Sequence, residues 1–374
     1  MAIILADSFG EEYTEKPKTA APELKFLANV AGLGLYELKE LFNELREPTY
    51  RAEQVFEGIY KHRWTLWQQF SNLPKSLRDK LEVVCPIEWP KPAQSLVSSD
   101  GSIKHAIELA DGYSIECVYI PYDNRATMCI SSQVGCAMGC AFCATGLMGF
   151  KRHLKSAEIV GQVMSMLIFH RHPPSFPLNI VFMGMGEPLA NIDEVMGAFS
   201  TLTNPLGLSA PPKRMTVSTA GIVAGIKELA IISPRPRLAV SLNATTDEAR
   251  SKVMPINKSW GLKELATALR SFPLERGERI TLEYVAIKGI SDSMEDAARL
   301  SRFAGQFPSK INLIPFNPSP GLEFMPPSET RLNEMGAFLA EKGHVVAVRR
   351  SRGLDVGGAC GQLAGAGKNP LNGA

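Results

Sequence analysis

The spacing of apolar residues changes along the chain. Over residues 22–82 apolar positions recur at the helical interval. One such stripe contains Leu24, Leu27 and Ala28, and another contains Leu35, Leu38, Leu41 and Phe42. From residue 125, six strand-like runs alternate with helical runs: ATMCISS, LNIVFMG, RMTVST, RLAVSLNA, RITLEYVAI and KINLIPFN. Alternating βα units predict a parallel sheet with right-handed crossovers. The sequence therefore predicts an α/β protein with an incomplete (βα)6 barrel, and HVVAVR is a candidate closing strand.

These patterns divide the chain into five segments. We predict a flexible arm at residues 1–20, a small helical accessory domain at 21–92 and a β-hairpin extension at 93–124. The partial barrel then occupies residues 125–350, and a glycine-rich tail that carries Cys360 occupies residues 351–374. In parallel α/β folds, ligands bind at the carboxyl ends of the strands, so site residues are expected there.

Composition restricts the class of protein. Of 374 residues, 45% are hydrophobic and 21% charged, with a formal net charge of +2, which is ordinary for a soluble globular protein. The sequence contains no run of 18 apolar residues, so it predicts no membrane-spanning helix. The amino terminus lacks a basic region and carries Glu11, Glu12 and Glu15, which argues against a targeting peptide. We therefore expect a cytoplasmic enzyme, in which clustered cysteines serve as metal ligands or catalysts.

Three cysteines follow the first predicted barrel strand at C-x3-C-x2-C spacing: Cys136, Cys140 and Cys143. Structural zinc prefers four ligands, and no histidine stands at a suitable spacing. A [4Fe–4S] cluster normally takes four cysteines, so three would leave one iron open to a ligand. Zinc and three buried free cysteines remain as alternatives from the spacing alone.

Polar residues and glycines follow the other predicted strands at their carboxyl ends. They are Gly186 and Glu187 in FMGMGEP, Ser218 after the third strand, Ser241, Leu242 and Asn243 after the fourth, and Asn317 after the sixth. Each alone could be a capping or turn residue. Together on one barrel rim, they favour a site for a polar ligand.

Three residues outside these motifs are candidates for chemistry. Cys360 lies in RGLDVGGACGQLAGAG, a segment expected to pack poorly and to move, and Arg349, Arg350 and Arg352 would favour its thiolate. Cys129 lies in the first barrel strand, where it could equally be core filling. Glu116 shares a face with apolar residues, and taken alone an exposed sheet edge explains it best.

The combined pattern resembles the RlmN family of radical S-adenosylmethionine (SAM) adenine methyltransferases, from about residue 23 to the carboxyl terminus. The resemblance rests on IECVYIP, RATMCISSQVGCAMGCAFC and ACGQLAG, and on YRAEQVFEGIYK and NLPKSLRDKL in the helical segment. It implies a radical SAM barrel. One departure is Asn243, which stands where many relatives carry histidine. A SAM contact through the backbone would leave the activity unchanged.

The resemblance also implies the cofactors and the roles of the candidate residues. A [4Fe–4S] cluster would be held by Cys136, Cys140 and Cys143, with SAM on its open iron. The SAM contacts would come from Gly186, Glu187, Ser218, Ser241, Leu242, Asn243 and Asn317. Cys360 would carry the methyl group, Cys129 would resolve the intermediate through a transient disulfide, and Glu116 would accept a proton. Two SAM molecules would be used per turnover, one as methyl donor and one as the source of a 5′-deoxyadenosyl radical.

The implied substrates are an adenine of 23S rRNA and the adenine beside the tRNA anticodon, each methylated at carbon 2. A one-electron reductant of the flavodoxin or ferredoxin type and a monomeric state are also expected. Residues 46–80 carry seven Lys/Arg against four acids, with Tyr50, Tyr60, Trp64 and Trp67 interleaved, and residues 342–374 carry five against one. We expect these basic faces to bind RNA phosphates, although solvated surface charge is the alternative.

Two rival functions remain at this point. One is methylation of the same rRNA adenine at carbon 8, as in the Cfr enzymes, which share the cluster and the cysteine pair. The other is a non-catalytic iron–sulfur or zinc protein that binds RNA. Such a protein would need neither a SAM shelf nor Cys360 on a mobile loop.

Overall fold

The computed structural model describes residues 28–364, so the predicted arm at 1–20 and the end of the tail lie outside the described residues. The helices are α1 (Leu35–Glu44), α2 (Tyr50–Tyr60), α3 (Lys75–Val84), α4 (Ala144–Leu147), α5 (Ser156–Phe169), α6 (Ile192–Thr203), α7 (Val223–Ile231), α8 (Asp247–Val253), α9 (Leu262–Ser271), α10 (Met294–Ala304) and α11 (Glu329–Glu341). The strands are β1 (Pro92–Val97), β2 (Ile103–Glu108), β3 (Ser114–Tyr122), β4 (Arg125–Cys129), β5 (Gln133–Gly135), β6 (Phe150–His153), β7 (Leu178–Phe182), β8 (Met215–Thr219), β9 (Arg237–Ser241), β10 (Ile280–Ala286), β11 (Ser309–Pro315) and β12 (Val346–Val348).

The main sheet has ten strands in the order β1-β2-β3-β4-β7-β8-β9-β10-β11-β12. From β4 to β12 every neighbouring pair is parallel, and helices follow the strands as crossovers. Since β1 and β12 end the strand order without pairing to each other, the sheet stays open on one side. The predicted α/β class and partial barrel are confirmed, with β12 adding a seventh parallel strand.

The extension before the barrel has one strand more than the hairpin predicted from sequence. The two predicted strands are β2 and β3, which pair antiparallel, and β1 joins the outer edge of β2. The sequence of β1 lies in the proline-rich joint, which hides it from a propensity argument. Proline is tolerated here because β1 is an edge strand and Pro92 is its first residue.

The accessory helices pack around buried side chains between residues 30 and 85, which belong to the same continuous apolar cluster as the core of the barrel. Tyr60 and Trp67 are buried in that core, and the indole nitrogen of Trp67 donates to the carbonyl of Cys85. Trp64 packs against Phe70 with an edge-to-face geometry. Tyr60 and Trp67 are therefore packing residues, Trp64 is partly buried beside them, and Tyr50 is 52% exposed. The sequence pattern suggested RNA-facing aromatics because it could not distinguish interior from surface positions.

Side-chain alternation in the barrel strands decides which residues reach the interior. In β8, Met215 and Val217 are buried against the helices, whereas Thr216 and Ser218 point to cavities inside the barrel. This is the two-residue period of a strand. The interior of the barrel is therefore polar, and its apolar core lies between the sheet and the surrounding helices.

One buried arginine fixes the carboxyl ends of two barrel strands. Arg250 of α8 has no exposed surface, and it donates to the carbonyl of Leu242 at 3.1 Å, that of Ala220 at 2.6 Å and that of Ser241 at 3.3 Å. A fourth bond, of 3.0 Å, reaches the side chain of Asn257. The loops after β8 and β9 are thus held by a single side chain.

None of the helices between residues 28 and 364 is long and apolar enough to cross a membrane.

Replacing this arginine should destabilise the fold. Arg250→Met removes hydrogen bonds to three carbonyls, of which that of Leu242 keeps a second donor in the N–H of Ala244, and each buried acceptor left without a partner costs roughly 1–3 kcal/mol. We expect urea unfolding to show a loss of roughly 2–4 kcal/mol in the free energy of unfolding. Arg302→Met on the exposed face of α10 is the matched control, with an expected change below about 0.5 kcal/mol. Equal losses in the two variants would contradict the role given to Arg250.

Candidate active site

The three-cysteine loop follows the short strand β5, which comes after β4, and runs along one end of the barrel. Cys136, Cys140 and Cys143 line the same cavity, which measures about 920 Å³ with the solvent at its mouth included. Gly135 has a φ of +72°, and a Cβ at that residue would lie 1.9 Å from the carbonyl oxygen of Gly149. Only glycine fits this approach of two chain segments. The loop is therefore folded tightly around the cavity.

The three thiols are close enough to affect one another electrostatically. Burial raises the pKa of Cys140 most strongly, and the neighbouring Cys143 and Cys136 raise it further. Burial also raises the pKa of Cys136, to about 12. Between residues 28 and 364, no three His, Cys, Asp or Glu side chains are arranged so that they could hold a single metal ion. The donor set itself fits an iron–sulfur cluster, because three thiols of one loop face one cavity and none has another function.

The turn after β7 supplies a shelf beside the cysteine loop. Gly186 has a φ of +101°, and a Cβ there would lie 2.5 Å from the Cβ of Gln133, so a side chain is excluded. The same Gln133 accepts a hydrogen bond of 2.8 Å from the backbone N–H of Glu187. The shelf and the cysteine loop are thus packed directly against each other.

Glu187 is a buried carboxylate that lines this cavity. Its oxygens accept from the N–H of Ala220 at 2.6 Å and that of Leu189 at 3.1 Å. Burial raises the pKa of Glu187 to about 7, and no basic side chain among residues 28–364 forms an ion pair with it. A cationic group of a ligand would lower that pKa, so the site favours a ligand that brings an ammonium group.

The polar residues expected at the strand ends separate into two groups. Ser218, Ser241, Asn243 and Asn317 line the cavity together with the shelf and the cysteines. Leu242 does not line it, since its side chain is fully buried in the apolar core. Its N–H donates to the carbonyl of Glu283 at 2.9 Å. Only the backbone around Leu242 is therefore available near the site.

Asn243 adopts a conformation that suits asparagine. Its φ is +57°, in the left-handed region that asparagine tolerates better than most residues. The side-chain oxygen accepts from the N–H of Val285 at 2.9 Å, and the amide nitrogen lies 3.3 Å from the sulfur of Met254. The side chain is thus engaged with β10 in this structure.

The segment that carries Cys360 is docked against several elements. The Ala144 N–H donates to the carbonyl of Gly361 at 2.7 Å, Asn317 donates to that of Cys360 at 2.9 Å, and Gln362 donates to that of Pro318 at 2.7 Å. The side chains of Ala359 and Leu363 are buried. The expectation that this segment packs poorly is wrong for the docked conformation, because its alanine and leucine fill apolar gaps between the glycines.

The thiol of Cys360 is accessible inside the barrel but is enclosed by protein groups. Burial raises its pKa to about 11, and Glu283 raises it further, whereas Arg349 lowers it. In this conformation burial thus disfavours the Cys360 thiolate, and Arg349 acts in the opposite direction. Cys129 ends β4 nearby, and its own pKa is raised by burial and then by Cys360. The structure brings these two thiols together.

Glu116 does not lie at an exposed edge, which corrects that interpretation of the sequence. Its strand β3 is interior to the sheet, flanked by β2 and β4, and the side chain is only 4% exposed. One oxygen is 3.0 Å from Nζ of Lys104, and the other accepts from the N–H of Ala364 at 2.9 Å. Lys104 pairs with Val118 across the strands, so it is the diagonal neighbour of Glu116. The pairing register of the hairpin is the feature from which the contact between Lys104 and Glu116 could be inferred.

Comparison with known proteins agrees with this geometry. Residues 130–301 match the family described as the Radical SAM superfamily, and residues 28–87 match the ribosomal RNA large subunit methyltransferase N-terminal domain. A dual-specificity RNA methyltransferase RlmN from Geotalea uraniireducens is 44% identical over 337 residues, covering 90% of this chain and 96% of that protein. The RlmN of Geobacter sulfurreducens is 44% identical over 339 residues, covering 91% and 92%.

The chain is also similar to a solved structure. The crystal structure of a radical SAM methyltransferase from Sphaerobacter thermophilus has a TM-score of 0.85 and 39% identity, covering 90% of this chain and 99% of that chain. The chain belongs to the RlmN family of radical SAM RNA methyltransferases.

Proposed function

We propose that this chain methylates carbon 2 of an adenine in 23S rRNA and of the adenine beside the tRNA anticodon. The family match and the names of the relatives support an enzyme of this activity. The match of residues 28–87 to the large-subunit methyltransferase domain favours the RlmN reaction over methylation at carbon 8. The single observation that supports the proposal most is the position of Cys360, which lies beside Cys129 and lines the same cavity as the three loop cysteines.

The family's cofactors are a [4Fe–4S] cluster and SAM. When bound, the cluster supplies an electron and SAM supplies both the methyl group and the hydrogen-abstracting radical. Cys136, Cys140 and Cys143 would hold the cluster, and Glu187 with the backbone of Gly186 would hold the SAM ammonium. A cation against Glu187 compensates its burial, and the polar side chains of Ser218 and Asn317 face the remainder of the ligand.

Arg349, Glu116 and Cys129 would each act on Cys360 or on the adenine attached to it. Its thiol must lose a proton to become a nucleophile, and Arg349 is the cation that favours this loss. Once the methyl carbon joins Cys360 to the adenine ring, Glu116 removes the ring proton at carbon 2. The thiolate of Cys129 would then attack the sulfur of Cys360, so that an S–S bond forms while the bond from that sulfur to the RNA-borne carbon breaks. The electron pair of the broken bond stays on that carbon, which takes up a proton and becomes the methyl group of the product.

Further properties belong to the same proposal. Cytoplasmic ribosomal RNA and tRNA are the substrates, so the enzyme works in the cytoplasm. A small acidic one-electron donor of the flavodoxin or ferredoxin type reduces the cluster, and the functional unit is a monomer.

Removing one cluster ligand should abolish cofactor loading. Cys140→Ala leaves two thiols in the loop, and two thiolates rarely retain a four-iron cluster. We expect iron and sulfide analysis after anaerobic reconstitution to show almost no bound iron, and SAM cleavage to be lost. Cys85→Ala is the matched control, because Cys85 is a buried cysteine in the accessory domain and should leave iron content unchanged. Normal iron loading in Cys140→Ala would remove the cluster assignment.

Glu116→Gln keeps the shape of the side chain and removes the base. The rate of RNA methylation should fall by roughly 10²–10⁴-fold, the usual contribution of a general base. Methylation of Cys360, measured by mass spectrometry of the protein, should persist. Glu108→Gln at the exposed end of β2 is the control and should turn over normally. Unchanged product formation in Glu116→Gln would leave Glu116 with a purely structural role.

Substitution of Cys360 and substitution of Cys129 should block the reaction at different steps. Cys360→Ala should give no methylated protein, no product and no RNA adduct, because the methyl carrier is missing. Cys129→Ala should carry the reaction to the covalent protein–RNA link and then stall. Purified Cys129→Ala should therefore migrate on a denaturing gel with attached RNA that ribonuclease removes. Product formation without any adduct would instead assign Cys129 to the core, where the substitution costs only packing.

A further inference from the structure

A second cavity opens at the opposite end of the barrel, where the strands begin. It is lined by Arg125, Lys213, Arg214, Arg237, Lys310, Arg349, Arg350 and Arg352, and we name these eight residues the basic vestibule. Arg125 is the first residue of β4, Arg237 is the first of β9, and Lys310 is the second of β11. Among residues 28–364, Glu283 is the only carboxylate that lines this cavity. The vestibule therefore concentrates positive charge inside a chain whose net charge is close to neutral.

Most of these cations have no anionic partner in the part of the chain that the structure describes. Arg350 lies 3.3 Å from Glu329 and Arg352 lies 3.7 Å from Asp100, which leaves six of the eight without a carboxylate within 4.0 Å. The pKa of Lys310 is lowered, first by burial and then by the neighbouring charges of Arg349 and Arg237. Such repulsion is relieved by a bound polyanion.

The cations of the accessory domain are used differently. Arg51 donates to the carbonyl of Asn72, Arg78 donates to that of Gln68, and Arg63 donates to that of His172. Lys61 pairs with Glu57 at 2.5 Å. Four of the seven Lys/Arg in residues 46–80 thus stabilise the protein itself, and the remaining ones are Arg46, Lys75 and Lys80. This face offers less free charge to a ligand than the vestibule does.

The vestibule also reaches the reacting sulfur atoms. Cys129 and Leu363 line it, whereas the three loop cysteines line only the cavity at the other end. Four residues line both cavities: Met183, Glu283, Ile314 and Cys360. The two cavities therefore meet at Cys360.

We propose that the basic vestibule binds the phosphates of the RNA substrate, so that the target adenine reaches Cys360 from the amino-terminal end of the barrel. SAM then approaches the same thiol from the carboxyl-terminal end. This inference rests on the proposed function, and it adds the route and the phosphate-binding residues. Phosphate contacts supply most of the affinity of proteins for nucleic acids, and an extruded base needs a route that the bound cofactor does not block.

The test compares two triple variants with the same change in charge. One carries Lys213→Gln, Arg237→Gln and Lys310→Gln in the vestibule, and the other carries Arg46→Gln, Lys75→Gln and Lys80→Gln on the accessory domain. Binding of a fluorescent adenine-containing RNA stem-loop is measured between about 50 and 200 mM salt, the range over which phosphate contacts dominate affinity changes. Arg349 is left intact because it acts on Cys360.

The vestibule variant should bind RNA on the order of tenfold more weakly at the lower salt concentration, and its salt dependence should flatten. Each lost phosphate contact lowers the slope of log K against log salt by roughly 0.7–0.9, so three contacts lower it by about two. The accessory variant should change affinity and slope less than the vestibule variant does. An unchanged affinity and slope in the vestibule variant overturns the proposal.

Two further measurements keep the result interpretable. Thermal midpoint and iron content establish that each variant folds and loads its cluster. If the triple variant does not fold, the single variant Arg237→Gln replaces it, because Arg237 is exposed. That variant should lower the slope of log K against log salt by about one. Saturating SAM should leave the RNA affinity of the wild type within about twofold, because the two ligands enter at opposite ends. A loss of RNA affinity by tenfold on adding SAM overturns the separate routes. RNA binding is measured without turnover, so absence of methylated product would count against the proposed function alone.

Discussion

The buried carboxylate of Glu116 is the contact on which the arrangement of the active site depends. A carboxylate in the interior must be compensated by a cation and by hydrogen bonds. Lys104 supplies the cation from β2, and the N–H of Ala364 supplies the bond from the tail. The backbone carbonyl of Glu116 accepts from the hydroxyl of Ser131 at 2.6 Å, and that hydroxyl in turn accepts from the N–H of Met185 at 2.8 Å. One residue thus links the extension, the tail, the cysteine loop and the shelf.

This linkage gives the docked tail a meaning for the reaction. In the docked state one oxygen of Glu116 is occupied by the tail, and Asn317 holds the carbonyl of Cys360. A base that must remove a proton from adenine needs that oxygen free, and a thiol that meets two ligands and Cys129 needs freedom of movement. The few hydrogen bonds that fasten residues 359–364 are individually weak, with net contributions of roughly 0.5–1.5 kcal/mol each. The proposed roles of Glu116 and Cys360 therefore require the tail to leave this conformation during the reaction.

Much of the fold, and of the cavity that the three loop cysteines line, follows from the sequence, because local patterns encode them. The alternation of strand-like and helical runs predicts the parallel sheet, and polar residues at strand ends predict the rim that Ser218, Ser241 and Asn317 form. Other features depend on segments far apart in sequence. Glu116 is buried because β2, β4 and the tail enclose it, and none of these contacts is visible in its own strand. The vestibule is assembled by the parallel register, which gathers single cations from residues 125 to 352 at one end of the barrel.

The activity itself is tested most directly by the product. Adenine-containing 23S rRNA transcribed without modification is incubated anaerobically with reconstituted protein, SAM and a one-electron reductant, then digested to nucleosides and analysed by mass spectrometry. The account predicts 2-methyladenosine, at one adenine per transcript, that disappears when Cys360→Ala replaces the wild type. Methylation at carbon 8, or product that persists in Cys360→Ala, would contradict it.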